Sequence, residues 1–360
     1  RLGDGVNCNF NSIFKDLENK GISVGAISPM NIGNNLKTPK YFLPDPWTET
    51  KVSGGFWFNL AHSCISNLTK DNARKNSNII NYIKFIFVFI KFASLKNTNI
   101  YFDLFFKSLR KKWFRPLFLD FFLHDIHMNL IENSKVNFSN IFFNSIAHIQ
   151  HHYFYNSKVF NEKLEKNPEW YVSKNDDPLR DSLIVFDKIL DDYVSDHSKF
   201  SIIIATGLSQ IPYDVKKFYY RLRNHEKFFN FFNLKFTKIQ ELMSRDFIIE
   251  FENELECELN QRKILEISTT DNKRIFGDTQ KMGNKLFLSF IFNEEINEHE
   301  IEYKDSKIKL KNFVDFVAIK NGMHNEKGFL YSNLMNIPNE LEIHEIKKLI
   351  LNYYDAQIQN

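Results

Sequence analysis

Apolar positions recur at helical spacing near the start of the chain. Ile13, Phe14 and Leu17 fall on one side of a helix that Gly21 is placed to end. An apolar run from Ile22 to Ser28 predicts a strand, which Pro29 closes. Residues 31–55 are rich in Pro, Gly, Asn and Thr, a composition suited to a polar loop at the rim of a site. From Phe56 to about Ser134 the spacing turns helical and aromatic, so a Phe-rich helical insertion is expected over 56–134. A short strand at about 139–145 comes next, with His148, His151 and His152 beyond its C-terminal end. Residues 181–197 read as a helix. Residues 201–205 form a continuous apolar run of the kind that parallel strands show when buried on both faces. "PYDVKKFYYRLRNHEKFFNFF" reads as the helix after that strand. Alternation in "RDFIIEF" and "KLFLSFIF" marks a smaller subdomain over 245–310. Strand and helix thus alternate along one domain of 360 residues, which predicts an open α/β sheet with helices on both sides.

Charge changes this picture little. The 47 Lys and Arg against 44 Asp and Glu leave a formal +3. That balance exerts no global pull toward nucleic acid or an anionic membrane, and neither is expected as a partner. Cys8, Cys64 and Cys257 are far apart and show no CxxC or zinc-finger spacing. Neither a disulfide framework nor a thiolate metal site is indicated, and a reducing, cytoplasmic setting fits. The stretch "IINYIKFIFVFIKFASL" (79–95) looks at first like a membrane span. Lys84 and Lys91 interrupt it, leaving an uncharged piece far short of the roughly 20 residues needed to cross a bilayer. A buried or capping helix is expected instead. The chain begins with Arg1 and shows no signal-peptide pattern, so it is expected to be a fragment.

In open α/β sheets, ligands bind beyond the carboxyl ends of the strands. Three stretches end there on this reading: "NIFFNSIAH", "IIIATGLSQ" and "FVAIKNGMHNEKGFLYSN", the last with His324 in a Gly-flanked loop. His151 and His152 stand three and four residues after His148, so on a helix they share its side, either as supporting groups of a site or as half-exposed residues. Lys107, Arg110, Lys111, Lys112 and Arg115 form either a solvated helix face or a rim for phosphate or sulfate. "HDIH" (124–127) is read as a helix turn in preference to a metal site, and "NDDP" as a loop leading into a helix with Asp177 near its cap. "GLS" (207–209) is no nucleophile elbow, because Ile211 stands where the second Gly belongs. No P-loop or Gly-x-Gly-x-x-Gly occurs.

Three stretches carry a resemblance. "SIFKDLENKGISVGAISPMN" is similar to the helix–strand unit that follows the nucleophile in the type I phosphodiesterase/nucleotide pyrophosphatase branch of the alkaline phosphatase superfamily. "NSIAH" occupies the place of its Asp-x-x-x-His metal motif, and "GMHNEKGFLYSN" resembles its late Gly-x-His-x-x-x-Gly loop. The resemblance spans nearly the whole chain. It implies a three-layer α/β/α alkaline-phosphatase-like sheet with a helical insertion, and a centre of divalent metals, usually zinc, that binds phosphoryl or sulfuryl oxygens. One metal would fall to Asn144 (where the family has Asp), His148 and His324. The family's Asp-His pair is replaced by Thr206 and Gly207, so Thr206 would mark where a second metal has been lost. The nucleophile would lie upstream of the first helix; Asp4-Gly5 is not accepted as the family's first Asp, because no apolar strand precedes it. The implied function is a hydrolase-like protein acting on small phosphoric or sulfuric esters. The alternative is a non-catalytic binding or scaffolding relative, such as one in surface-glycan metabolism, and a nucleic-acid module is the least favoured.

Overall fold

Ser12 starts the first helix, α1 (Ile13–Asn19), by accepting the Lys15 amide N–H on its hydroxyl. The expected inward face forms: Phe14 and Leu17 are buried and Ile13 packs beside them. Gly21 follows at φ +77°, the left-handed geometry that lets the chain turn into a strand. The structure, a computed structural model, describes residues 11–74, 79–159, 165–195, 200–242, 245–296, 298–303, 306–334 and 337–358. Asp4, Gly5, Cys8 and the last two residues of the helix expected at 181–197 lie outside them. The chain divides into two compact units.

The first unit comprises Arg1–Ile149, Pro178–Ser209 and Asn325–Asn360. Its centre is a parallel sheet in which β1 (Val24–Ile27) lies between β2 (Tyr41–Leu43) and β3 (Phe138–Ile141). All of β1 and β2 is buried. Gly25 is demanded by packing, because a Cβ there would stand 2.3–2.7 Å from the Tyr41 ring. Helices α2 (Phe56–Arg74), α3 (Ile79–Phe92), α4 (Thr98–Arg110) and α5 (Phe114–Ser134) fill the region expected to be helical. Among the described residues no helix is long and apolar enough to cross a membrane. Helix α6 (Ser145–Tyr153) follows β3, and α7 (Pro178–Val194) and α10 (Glu345–Ile358) complete the set in this part of the chain. Tyr354 on α10 donates its hydroxyl to the Asn137 carbonyl at 2.6 Å and packs on Phe138.

The "HDIH" stretch lies inside α5 and is buried. Asp125 accepts three hydrogen bonds: from the Ser94 N–H, the Asn97 amide and the Tyr101 hydroxyl, at 2.6–2.7 Å. His124 pairs with Asp192 at 2.9 Å. His127 bridges the Tyr193 hydroxyl (2.7 Å) and Ser139 Oγ (2.6 Å), and Ser139 in turn meets the Tyr41 hydroxyl. These side chains tie α5 to α4, α7 and the sheet, so the helix-turn reading agrees with their surroundings.

The second unit comprises Gln150–Asp177 and Gln210–His324. Strands β6 (Lys238–Glu241), β7 (Asp246–Glu250), β9 (Lys285–Phe290) and β8 (Phe276–Met282) form an antiparallel sheet in that order. Helix α8 (His225–Phe231) lays Phe228 and Phe229 against Phe247 and Phe276 with ring centroids 5.5–5.7 Å apart. Helix α9 (Glu254–Glu266) adds buried Cys257 and Ile264 to the same core. Strands β10 (Glu300–Tyr303) and β11 (Ser306–Lys309) form an antiparallel pair, and β5 (Ser209–Leu222) pairs with β12 (Val314–Asn325). The alternating patterns read in 245–310 therefore do form sheet.

Among the described residues the architecture is mixed α/β, with ten α-helices and several small open sheets. Four local expectations need correction. The stretch after residue 209 is mainly strand: Phe218, Tyr220 and Leu222 are buried with period two, the strand period, and only α8 is helical. The apolar run at 201–205 supplies only β4 (Ile203–Ala205), which is half-exposed and pairs antiparallel with β13 (Leu330–Ser332). Its apolarity serves an edge ladder, where one face stays open. The strand expected at 139–145 ends at Ile141, and Ser145 already begins α6. The polar loop over 31–55 contains the buried β2, three residues too short to announce themselves.

Candidate functional site

Helix α6 begins where Asp120, buried on α5, accepts the N–H groups of Asn144 and Ser145 at 3.1 and 2.8 Å. Burial holds the Asp120 pKa up to about 6 despite those two bonds. The Asn144 carbonyl accepts the His148 N–H at 3.0 Å, which starts the helical ladder. Both side chains are exposed. Asn144, His148 and Thr206 belong to the first unit, and His151, His152 and His324 to the second.

In the second unit the structure brings His151 and His324 together. Their Nε2 atoms are 3.1 Å apart. His324 is on the last turn of extended chain in β12, not in a loop, which corrects the expectation for it. His151 Nδ1 is 2.9 Å from the Gly322 carbonyl, so that nitrogen carries the proton and donates. The neutral ring then has its lone pair on Nε2, aimed at His324. Burial is the main force holding the His151 pKa down to about 4, and the nearby charges of Lys320 and His324 add to it against the Gly322 bond. His152 Nδ1 makes the parallel contact, 3.1 Å from the Ile319 carbonyl.

Gly322 permits this arrangement. A Cβ there would stand 2.6 Å from the Gln150 carbonyl oxygen and 2.8 Å from the Phe154 ring. Behind it, Asn321 is wholly buried in a cluster of amides. It exchanges two hydrogen bonds with Asn167, at 2.7 and 2.9 Å, and Asn167 also donates to Asn156 at 2.8 Å. The Tyr155 N–H donates to Asn321 at 3.3 Å, so the chain after α6 is pinned to β12.

A cationic group that the sequence did not suggest, Lys320, acts on the pair, with Arg245 beside it in turn. In an extended strand, residues two apart project to the same side, which groups Lys320 with His324. Lys320 Nζ lies 5.3 Å from the centre of the Tyr219 ring, and the Arg245 guanidinium 4.4 Å from it. Burial, helped by Arg245, pulls the Lys320 pKa down to about 8. A group whose charge is disfavoured in this way gains from an anion placed beside it. The signal was present in "IKNGMHN", where Lys320 and His324 flank Gly322 at two-residue steps.

Thr206 has a different role. Its hydroxyl accepts the Phe329 N–H at 2.9 Å, and its own N–H donates to the Phe329 carbonyl at 2.9 Å. It extends the β4–β13 ladder.

Among the described residues, no group of three or more His, Cys, Asp and Glu side chains is arranged to hold a metal ion. Zinc–imidazole bonds of about 2.0–2.1 Å put two ligating nitrogens roughly 3 to 4 Å apart, so the His151–His324 separation fits two positions of a zinc site. Comparison with protein-family models, curated proteins and solved structures finds no match to this chain.

Proposed function

We propose that the chain is a hydrolase-like protein of the phosphodiesterase, phosphatase or sulfatase type, and that its seat for a phosphoric or sulfuric ester is built on His151 and His324. The observation that carries this reading is the pair itself: two Nε2 atoms 3.1 Å apart, one fixed by a backbone carbonyl, with Lys320 close enough to act on the same ring. Lys320 and Arg245 supply the positive charge that an ester's anionic oxygens need. A divalent metal, zinc by the chemistry of the donors, would be held through the two Nε2 atoms and would act as a Lewis acid on an ester oxygen. The two-metal centre of the alkaline phosphatase superfamily needs more ligands than are assembled among the described residues, so this reading takes one cation. The parallel sheet β2–β1–β3 with α1 packed on it supports the finer three-layer architecture that belongs to the same reading.

A non-catalytic relative that binds such an ester is the second reading. Thr206 favours it, because its hydroxyl is engaged in the β4–β13 ladder.

Titration of the full chain with inorganic phosphate and sulfate, followed by the imidazole proton resonances, tests the seat. An anion beside His151 should raise its pKa above about 4, and the shift should vanish in Lys320→Met. Aryl phosphate, phosphodiester and sulfate hydrolysis with added zinc or manganese then separates the two readings. Turnover lost in His324→Ala supports the enzyme. No shift and no turnover would sink the proposal.

A further inference from the structure

Helix α3 packs on α2 and on α5, and α4 packs on α5, and each keeps a side that these contacts leave uncovered. Val88 and Phe92 of α3 and Tyr101 and Leu104 of α4 are buried. Phe89 stands 5.4 Å from Phe122 and 4.7 Å from Tyr101, which joins the two helices to each other and to α5. The opposite sides carry large apolar side chains into solvent. On α3 these include Ile79 (73% exposed), Ile83, Ile86 and Ile90 (72%), at the three- and four-residue steps of one stripe. On α4 they are Phe102, Phe105, Phe106 and Leu109, all about half exposed or more, and Leu95 between the helices is 91% exposed. Single exposed apolar residues need no explanation, but this many on two helices joined through Phe89 and Tyr101 mark an interaction surface.

Charge says what covers it. Residues 79–115 hold eight Lys and Arg and one acidic residue, Asp103. That is +7 in a chain whose total is +3, leaving −4 for all the rest. Lys84 and Lys91 are exposed on α3 itself, and Lys107, Arg110 and Lys112 on or beside the end of α4. A second copy docked through the same surface would set like charge against like charge, even with Lys96 paired to Asp192. An anionic lipid surface offers the complement of both properties, a negative plane over an apolar interior.

We propose that α3 and α4 seat this protein on anionic membrane surfaces, lying in the headgroup region with their isoleucines and phenylalanines turned inward. Helix α3 has 14 residues, about 21 Å at 1.5 Å each, too short for a hydrocarbon core of about 30 Å and suited to lying along it. The lysine stems reach past the apolar stripe to the phosphates. This arrangement turns on local charge, which the balanced total conceals.

Co-sedimentation of the full chain with vesicles tests it, using phosphatidylcholine alone and phosphatidylcholine mixed with phosphatidylglycerol. Binding is expected with the mixed vesicles, falling about tenfold with the neutral ones and again at high salt. The variants Phe87→Ser/Ile90→Ser and Lys84→Glu/Lys91→Glu change exposed positions only. Each should bind at least about tenfold less while keeping the wild-type circular dichroism and melting temperature. Equal binding to both vesicle types, or none to either, would overturn the proposal. So would a concentration-dependent dimer that these variants abolish without any vesicle binding.

Discussion

Replacing Gly322 with alanine is expected to destabilise the second unit by about 1–3 kcal/mol and to release His151 from its carbonyl. The new methyl group would meet the Gln150 carbonyl oxygen at 2.6 Å and the Gln210 side-chain oxygen at 2.9 Å. A flexible side chain could swing away, but a carbonyl inside the α6 ladder moves only with its helix. Loss of glycine's freedom in the unfolded chain works the other way, by about 0.4–1 kcal/mol, and does not offset the clash. Urea unfolding should show a lower midpoint at unchanged slope. The His151 resonance should titrate closer to the ordinary histidine value, because its ring loses both burial and position. A variant within about 0.5 kcal/mol of wild type, with His151 still titrating near 4, would contradict this account of the site.

Acid should weaken the first unit through His127, over a range in which Asp120 is the carboxyl group that takes up its proton early. His127 is buried between Tyr193 and Ser139, and burial, with a smaller push from His124, depresses its pKa to about 3. The unfolded chain has this group near 6.5. With the folded value below the unfolded one, the unfolded state binds the proton first. The stabilising contribution is therefore complete above about 6.5 and drains away as pH falls towards 3. At about 1.4 kcal/mol per pKa unit, the upper limit is on the order of 4 to 5 kcal/mol. Melting temperatures measured between pH 7 and pH 4 should fall for the wild type. The His127→Gln variant, less stable at pH 7 through a poorer fit, should show a flatter profile over that range. Parallel profiles would mean that some other group governs the acid response.

The chain announces its structure where one physical signal dominates. Ser12, the Phe14–Leu17 face and Gly21 agree with one another, and α1 and β1 form as read. The helices over 56–134 are legible because their apolar spacing runs for many turns. Strand β2 is not, since three buried residues in a loop rich in proline and glycine give no period to detect. In β5 the aromatic run from Phe218 to Tyr220 fits helix and strand alike, and only pairing with β12 selects the strand. The Gly-flanked stretch around His324 reads as a loop, yet Asn321, Gly322 and His324 lie within β12, because close packing of Gln150 and Phe154 uses Gly322 for space. The same substitution of packing for turning put His324 opposite His151, one of two neighbours read as supporting groups. Lys320, Arg245 and Tyr219 gather across 101 residues, and no local pattern connects them.

The buried amide cluster also gives the protein a chemical memory of having unfolded. Asn321 is followed by Gly322, whose amide nitrogen, unhindered by a side chain, can attack the asparagine carbonyl once the chain is free to bend, releasing ammonia and leaving aspartate or isoaspartate after hydrolysis. In the native strand the Asn321 amide is fastened by Asn167 on both its oxygen and its nitrogen, and the attack geometry is out of reach. A molecule that has deamidated while open must bury a carboxylate against the Asn167 carbonyl oxygen in order to close, an unpaired charge where an amide had donated. Each excursion thus risks a one-way step, and the age of a preparation should be readable as a mass gain of about 1 Da at this position, accumulating with time spent unfolded rather than with time alone.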